Sequence, residues 1–154
     1  MQTKIVPYEA RFKTAFKSLN EWWIKRYFTM EASDYKSLDF PEKNIINKGG
    51  YILFAIQDGE PVGVCALIAM EHPKYDFELA KMGVREDMHG QGIGRLVGEA
   101  IIEKAKSIGA KHIYLESNTV LEPAINLYRK LGFVETYDYP SPYERCNIQM
   151  ELEL

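Results

Sequence analysis

Apolar and polar positions alternate along this chain with two periods, one near 3.6 residues and one of two residues, so both helices and strands are expected. Four segments carry an apolar stripe at helical spacing, and glycines close three of them. The predicted helices span residues 9–20 with a continuation towards Tyr27, 41–48 before Gly49-Gly50, 93–108 before Gly109, and 123–131 before Gly132.

The runs between these helices alternate or are rich in β-branched and aromatic residues, which is typical of strands. Asp58-Gly59 joins two of the runs and predicts a hairpin. The predicted strands are Thr3–Val6, Tyr51–Gln57, Val62–Met70, Phe77–Val84, His112–Glu116, Phe133–Tyr139 and the alternating stretch from Cys146 to Leu154. The order β-αα-βββ-α-β-α-ββ predicts an α/β fold, with a mixed central sheet of about seven strands flanked by about four helices.

Composition narrows the class of protein. The chain has 154 residues, 46% of them hydrophobic and 27% charged, and we expect one domain over residues 1–154. The net charge of −3 argues against nucleic-acid binding, and no apolar run approaches the ~20 residues that span a bilayer. The N-terminus does not resemble a signal peptide, and Cys65 and Cys146 lack metal-type spacing. A cytoplasmic protein without a metal site, disulfide or membrane partner is expected.

The most informative candidate for chemistry is the glycine-rich loop HGQGIGR, which follows the strand Phe77–Val84 and opens a helix. Such a loop presents backbone N–H groups and the positive end of a helix dipole to an anion, which predicts a phosphate-bearing ligand. A P-loop is excluded because Arg95-Leu96 follows Gly94, and a dinucleotide fingerprint is excluded because Arg95 stands at its third glycine position. The alternative is a turn that contains glycine only because strand and helix pack closely.

Two motifs lie at matching places in this element order, FELAKMGVREDMHGQGIG in the middle of the chain and AINLYRKLGF near its end. With that order they resemble the GNAT superfamily of acetyl-CoA-dependent N-acetyltransferases, over essentially the whole chain. The resemblance implies acetyl-CoA as co-substrate, with pantetheine along the strand and pyrophosphate in the loop. The family loop usually begins with Gln or Arg, where this chain has His89. The cofactor-binding residues so implied are Met82, Gly83, Val84, His89, Gly90, Gln91, Gly92, Ile93, Gly94, Arg95, Asn118 and Asn126.

Acetyl transfer to an amine requires a base, since an amine of pKa near ~10.4 is protonated at pH 7, and it requires help for the leaving thiolate. The resemblance implies Glu78 as the base; the alternative is a carboxylate paired with Lys81. Tyr128 matches the family tyrosine that assists the departing sulfur, for which we favour a hydrogen bond over proton transfer; the alternative is a core tyrosine. A backbone N–H of Met82–Val84 would stabilise the oxyanion if the strand bulges there.

The acceptor amine is expected between the N-terminal helices and the last strands, where aromatic and charged residues gather. Aromatic rings with a few acids favour a small cationic amine, whereas Arg145 favours a carboxylate, as in an amino acid or a peptide end. Packing in the core is the alternative for each of these side chains. The candidate substrate-binding residues are Trp23, Tyr27, Glu31, Tyr143 and Arg145, with Trp22, Phe28, Asp34 and Tyr139 near them.

The leading hypothesis is direct attack of a primary amine, from a small molecule or a peptide, on acetyl-CoA in a ternary complex. Neither cysteine lies in a nucleophile motif, so no covalent enzyme intermediate is expected. A non-catalytic sensor of CoA or acyl-CoA on the same fold is the first alternative, and the presence of both Glu78 and Tyr128 argues against it. Transfer of a larger acyl group, transfer to a different acceptor, and a scaffold without ligand are the others. The resemblance also allows a homodimer.

Overall fold

The computed structural model describes residues 2–137 and 144–154, and within them seven strands form one sheet in the order β1-β2-β3-β4-β5-β7-β6. Only β4 and β5 run parallel; the other described neighbours are antiparallel. The strands are β1 Lys4–Pro7, β2 Tyr51–Gln57, β3 Glu60–Ala69, β4 Phe77–Val84, β5 His112–Ser117, β6 Val134–Thr136 and β7 Ile148–Glu153. The helices are α1 Lys13–Tyr27, α2 Ala32–Asp39, α3 Pro41–Asn44, α4 Ile93–Ser107 and α5 Glu122–Lys130, with 3-10 turns at Ala10–Phe12, Ile46–Lys48 and Glu86–Met88.

Helices cover both faces of the sheet, and each face buries its own apolar cluster. The cluster under α4 and α5 includes Cys65, Leu79, Val97, Ile101, Ile113, Leu115, Ile125 and Tyr128. The cluster under α1 and α2 includes Phe16, Leu19, Ile24, Leu38, Phe54 and Val64. Successive side chains of a strand point to opposite faces. Since Leu79 and Ile113 face α4 and α5, their neighbours Glu78 and Tyr114 face the α1 side.

The predicted α/β class, element order and mixed sheet are confirmed. The described residues form five α-helices rather than about four, because α2 was not predicted. That helix buries only Asp34 and Leu38, so no apolar stripe marks it in the sequence. The helix predicted over residues 41–48 is divided into α3 and a 3-10 turn. β6 covers residues 134–136 of the strand predicted over 133–139, of which residues 138 and 139 lie outside the described residues. In the described part of the chain, each helix is too short or too polar to cross a bilayer.

Candidate active site

The site begins where β4 and β5 separate. These two strands pair only at Phe77 with Ile113 and at Glu78 with Tyr114, so the remainder of β4 presents an unpaired backbone edge on that side. A cavity of about 540 Å³ opens beside this edge. Its walls come from the end of α1, from β4, from the glycine-rich loop, from the end of β5 and from the start of α5; they include Trp22, Trp23, Glu78, Met82, Gly90, Gly92, Glu116, Asn118, Leu127, Tyr128 and Arg145.

A β-bulge interrupts β4 inside this cavity. Val64 pairs with Gly83 and Ala66 with Ala80, so two residues of β4, Lys81 and Met82, oppose the single residue Cys65. Lys81 has a φ of 54°, a left-handed conformation that costs a non-glycine residue of order 1 kcal/mol or more. The bulge thus includes Met82, the first residue of the Met82–Val84 segment whose N–H groups are considered as oxyanion donors in the sequence analysis.

The glycine-rich loop carries the features of an anion site. Gly90 and Gly92 have φ values of 79° and 78°, which favour glycine, and no protein atom lies within 4 Å of where their side chains would stand. Gly92 caps α4, and the N–H of Leu96 donates to its carbonyl at 3.0 Å. Among the described residues, the N–H groups of 90–95 have no acceptor, so they and the helix dipole can receive a phosphate.

His89 fixes the start of this loop to the end of β4. Its Nε2 lies 2.9 Å from the carbonyl oxygen of Val84, so that nitrogen carries the hydrogen. The ring also contacts Trp22 edge to face, with 5.3 Å between ring centroids. Gln91 and Arg95 stand outside the cavity wall, and Arg95 is exposed and paired with Glu99 at 2.8 Å. The side chain of His89 therefore fixes the start of the loop, and the groups that the loop offers to an anion are backbone N–H groups.

Glu78 is half-buried in the cavity wall, at the last position where β4 and β5 pair. Burial, and next the negative charge of Glu116, raise its pKa to about 7, while the charge of Lys81 acts in the opposite direction. The ammonium of Lys81 donates to Asp34 Oδ1 at 2.8 Å. Glu78 therefore titrates near neutral pH, as a general base should.

Tyr128 reaches the cavity from α5 through the cluster under that helix. The residue is buried beside Phe133, and burial raises the pKa of its phenol well above the usual value. Among the described residues the Tyr128 hydroxyl makes no hydrogen bond, and its oxygen is open to the cavity rather than fully enclosed. A hydroxyl that is open to the cavity can donate a hydrogen bond to a ligand bound there. Tyr128 thus combines both interpretations: it belongs to the core and its polar end faces the site.

The two asparagines proposed from the resemblance differ in position. Asn118 borders the cavity, where its amide donates to the carbonyl of Arg145 at 2.7 Å and accepts from the N–H of Val120 at 2.9 Å. It therefore ties the end of β5 to the segment before β7. Asn126 is exposed on α5 and stands outside the cavity wall, so the structure does not bring it to the other candidates.

The acceptor end differs from expectation in its charged residues. Trp23 and Tyr27 border the cavity as predicted. Arg145, however, makes two hydrogen bonds to Asp34, at 2.7 Å from Nη1 and at 2.6 Å from Nη2, and a longer one of 3.4 Å to Glu31. In this arrangement Arg145 and Asp34 are paired with each other, and Glu31 lies beside that pair. Tyr143 and Tyr139 lie outside the described residues.

Two features of the site were missed in the sequence. The first is the buried group formed by Lys81, Asp34 and Arg145, whose side chains are 4%, 0% and 14% exposed. The second is Glu116, which stands on the same face as Glu78 and accepts a hydrogen bond of 2.7 Å from the hydroxyl of Tyr114. A signal for Glu116 did exist, since it ends the predicted strand His112–Glu116, the next strand along the chain after the glycine-rich loop. The described residues include no cluster of three metal-ligating side chains.

Comparison with known proteins defines the class and then the family. The fold matches an acetyltransferase of the GNAT family from Staphylococcus aureus Mu50 with a TM-score of 0.88 at 22% identity, over 99% of both chains. It also matches YncA of Salmonella typhimurium, solved with its cofactor acetyl-CoA, with a TM-score of 0.77 at 16% identity, over 99% of this chain and 94% of that one. These matches establish the acetyltransferase fold.

Sequence then establishes the family. The pattern of the Acetyltransferase (GNAT) family matches residues 16–133. The N-acetyltransferase YjgM of Escherichia coli K12 is 30% identical over 115 residues, which are 71% of this chain and 68% of that protein. The chain therefore belongs to the GNAT family and is an acyltransferase of the N-acetyltransferase class, as the two motifs predicted.

Proposed function

We propose that this enzyme transfers the acetyl group of acetyl-CoA directly to a primary amine in a ternary complex. The observation that carries the proposal is one cavity that borders an unpaired strand edge, an anion-binding loop, a carboxylate of pKa about 7 and a tyrosine hydroxyl. Thiol release from acetyl-CoA over a panel of primary amines, with CoA binding measured by calorimetry, tests it. Binding without release by any amine would support the CoA-sensor alternative instead.

The residues present fit acetyl-CoA without any further group. The unpaired edge of β4 offers backbone donors and acceptors to the two amides of pantetheine, as a neighbouring strand would. The free N–H groups of residues 90–95 would hold the pyrophosphate. Gly83 serves packing as well, since a side chain there would approach the carbonyl of Leu19 to 2.6 Å.

Glu78 would take the proton of the attacking amine, directly or through a water molecule. An amine of pKa near ~10.4 loses its proton at pH 7 at a cost of about 4–5 kcal/mol, and a carboxylate already near its pKa accepts that proton as the N–C bond forms. A backbone N–H at the bulge of Lys81 and Met82 would donate to the carbonyl oxygen as negative charge develops on it. The carbon–sulfur bond then breaks, and the electron pair leaves on sulfur.

The low-pH side of the activity profile, which we call the acid limb, should follow the ionisation of Glu78. At saturating acetyl-CoA, kcat/KM for the amine is expected to rise as the pH increases through about 7, because only the ionised carboxylate accepts a proton. Glu116→Gln removes a like charge, so the pKa of Glu78 falls and the limb moves to lower pH. In kcat/KM the amine enters as the free molecule, which ionises identically for both proteins, so the difference between the two kcat/KM profiles isolates the protein group. Superimposable profiles would contradict this assignment.

Tyr128 would assist the departing sulfur by a hydrogen bond. Its phenol pKa is raised by burial, so complete proton transfer to a thiolate of pKa ~8.5 would be uphill by more than about 2 kcal/mol. A hydrogen bond that strengthens as charge develops on sulfur needs no such transfer.

Tyr128→Phe is accordingly expected to lower kcat about 10- to 1000-fold while the Kd for CoA changes less than about 3-fold. The substitution keeps the ring that packs on Phe133, so the fold is retained. Stopped-flow thiol release and calorimetry measure the two quantities. An unchanged kcat would remove Tyr128 from the mechanism and leave it as a core residue.

A further inference from the structure

Four charged side chains at the acceptor end form one group in which the positive and negative charges are paired. Lys81 and Arg145 are the basic lysine and arginine side chains of the cavity wall, and both bind Asp34, at 2.8 Å and 2.6 Å. Glu31 adds a second carboxylate at 3.4 Å from Arg145. Two cations thus face two carboxylates that lie outside the cavity wall, and this group contributes no net charge to the space beside it.

The guanidinium group of Arg145 forms a bidentate pair with the carboxylate of Asp34. Asp34 is fully buried, and its Oδ2 also accepts from the N–H of Glu31 at 2.9 Å. A substrate carboxylate that displaced Asp34 from Arg145 would leave a buried anion without its arginine partner, which is unfavourable. Among the described residues of the cavity wall, the one arginine is therefore already paired and does not favour binding of the carboxylate of an amino acid or of a peptide C-terminus.

The rest of the acceptor end is acidic and aromatic. Glu78 and Glu116 border the cavity on one face of β4 and β5, and Glu116 is held by the hydroxyl of Tyr114. The cavity wall also contains four aromatic residues at the end of α1, namely Trp22, Trp23, Tyr27 and Phe28. Their rings already contact cations, since the guanidinium of Arg26 lies 5.4 Å from the centre of the Trp22 ring and that of Arg145 lies 5.9 Å from the centre of the Trp23 ring.

We propose that the acceptor is a cationic primary amine with an apolar body and no carboxylate, such as an arylalkylamine or alkylamine, and that Glu116 is its specificity residue. Glu116 would attract the ammonium group to the side of Glu78, and the aromatic rings would contact the apolar body and the cation. The inference rests on the proposed function and selects a substrate class within it.

Matched pairs of compounds test this inference, since an amine and its parent amino acid differ only by the carboxylate. We would compare phenethylamine with phenylalanine, and isopentylamine with leucine. Binding in the presence of CoA is followed by tryptophan fluorescence excited at 295 nm, because the chain contains two tryptophans and both border the cavity. Turnover is followed separately, by thiol release from acetyl-CoA.

Each amine is expected to bind at least about 30-fold more tightly than its parent amino acid, with the same order in kcat/KM. Glu116→Gln should weaken amine binding about 10-fold, whereas Glu103→Gln, an exposed glutamate of α4, should leave it unchanged. Amino acids that bind as well as or better than the amines, or no fluorescence change with either class at 10 mM (a concentration at which ~mM affinities are visible), would overturn the inference. Amine binding without thiol release would support the inference and refute the proposed acetyl transfer to that amine.

Discussion

Glutamine in place of Glu78 is expected to lower kcat about 100- to 10,000-fold and to raise the melting temperature at pH 8. The loss of activity follows from removal of the base, because the amide cannot accept a proton at neutral pH. The gain in stability follows from the pKa of about 7, which lies above the ordinary value of 4.5. Thiol release and differential scanning calorimetry measure the two effects in the same preparations.

The sign of the stability change can be worked out from linkage. A carboxyl whose pKa is raised in the folded state contributes stability below pH ~4.5, and that contribution is lost as the pH rises through 7. Full ionisation costs up to about 3 kcal/mol, which glutamine avoids, so at pH 8 the melting temperature should rise by several degrees. The difference between the two proteins should vanish near pH 4.

Glu151→Gln is the matched control, on the same sheet but outside the cavity wall. The hydrogen bond from Lys74, at 2.8 Å, lowers the pKa of Glu151, so its loss should reduce stability at pH 8 and leave kcat unchanged. If Glu78→Gln also reduced stability, the carboxylate of Glu78 would be a member of a structural ion pair. If it left kcat intact, another group would be the base.

The parts of the site that could be predicted are those encoded locally. β4 was predicted with its observed bounds, Phe77–Val84, because its apolar alternation ends at a turn and a glycine loop. The loop follows from glycines with positive φ at the start of α4, a requirement that only a few residue types meet. Glu78 and Tyr128 were found through motifs that sit on these elements. In each case neighbours within about ten residues carry the signal.

The parts that could not be predicted depend on contacts between distant segments. Arg145 and Asp34 are 111 residues apart, and their pairing changes the interpretation of both. α2 is held on the protein by a buried carboxylate rather than by an apolar stripe, so hydrophobic periodicity does not reveal it. The same carboxylate binds Lys81 at the bulge, and a left-handed lysine inside a strand is not a conformation that sequence propensity favours.

This buried group leads to the largest expected change in stability. Asp34→Asn is expected to lower the free energy of unfolding by about 3–5 kcal/mol at pH 7, measured by urea denaturation. The amide leaves Lys81 and Arg145 facing each other, 4% and 14% exposed, without the carboxylate that both contact. Because Lys81 holds the bulge of β4 in a strained backbone conformation, kcat should fall as well.

Asp39→Asn provides a control in the same helix, since Asp39 also pairs with a lysine, Lys17, at 2.6 Å, but both side chains are about one-third exposed, at 33% and 35%. An exposed pair of this kind contributes less than about 1 kcal/mol.

Unfolding by acid provides a second test of the buried group. Burial alone would raise the pKa of Asp34, but the hydrogen bonds of Arg145 and the charge of Lys81 lower it to about 2. Its contribution to stability is therefore present above pH ~4 and is lost as the pH falls through 2, whereas Asp34→Asn should lack that part of the acid transition. Equal effects of the two substitutions at pH 7 would show that the buried group does not hold α2 to β4.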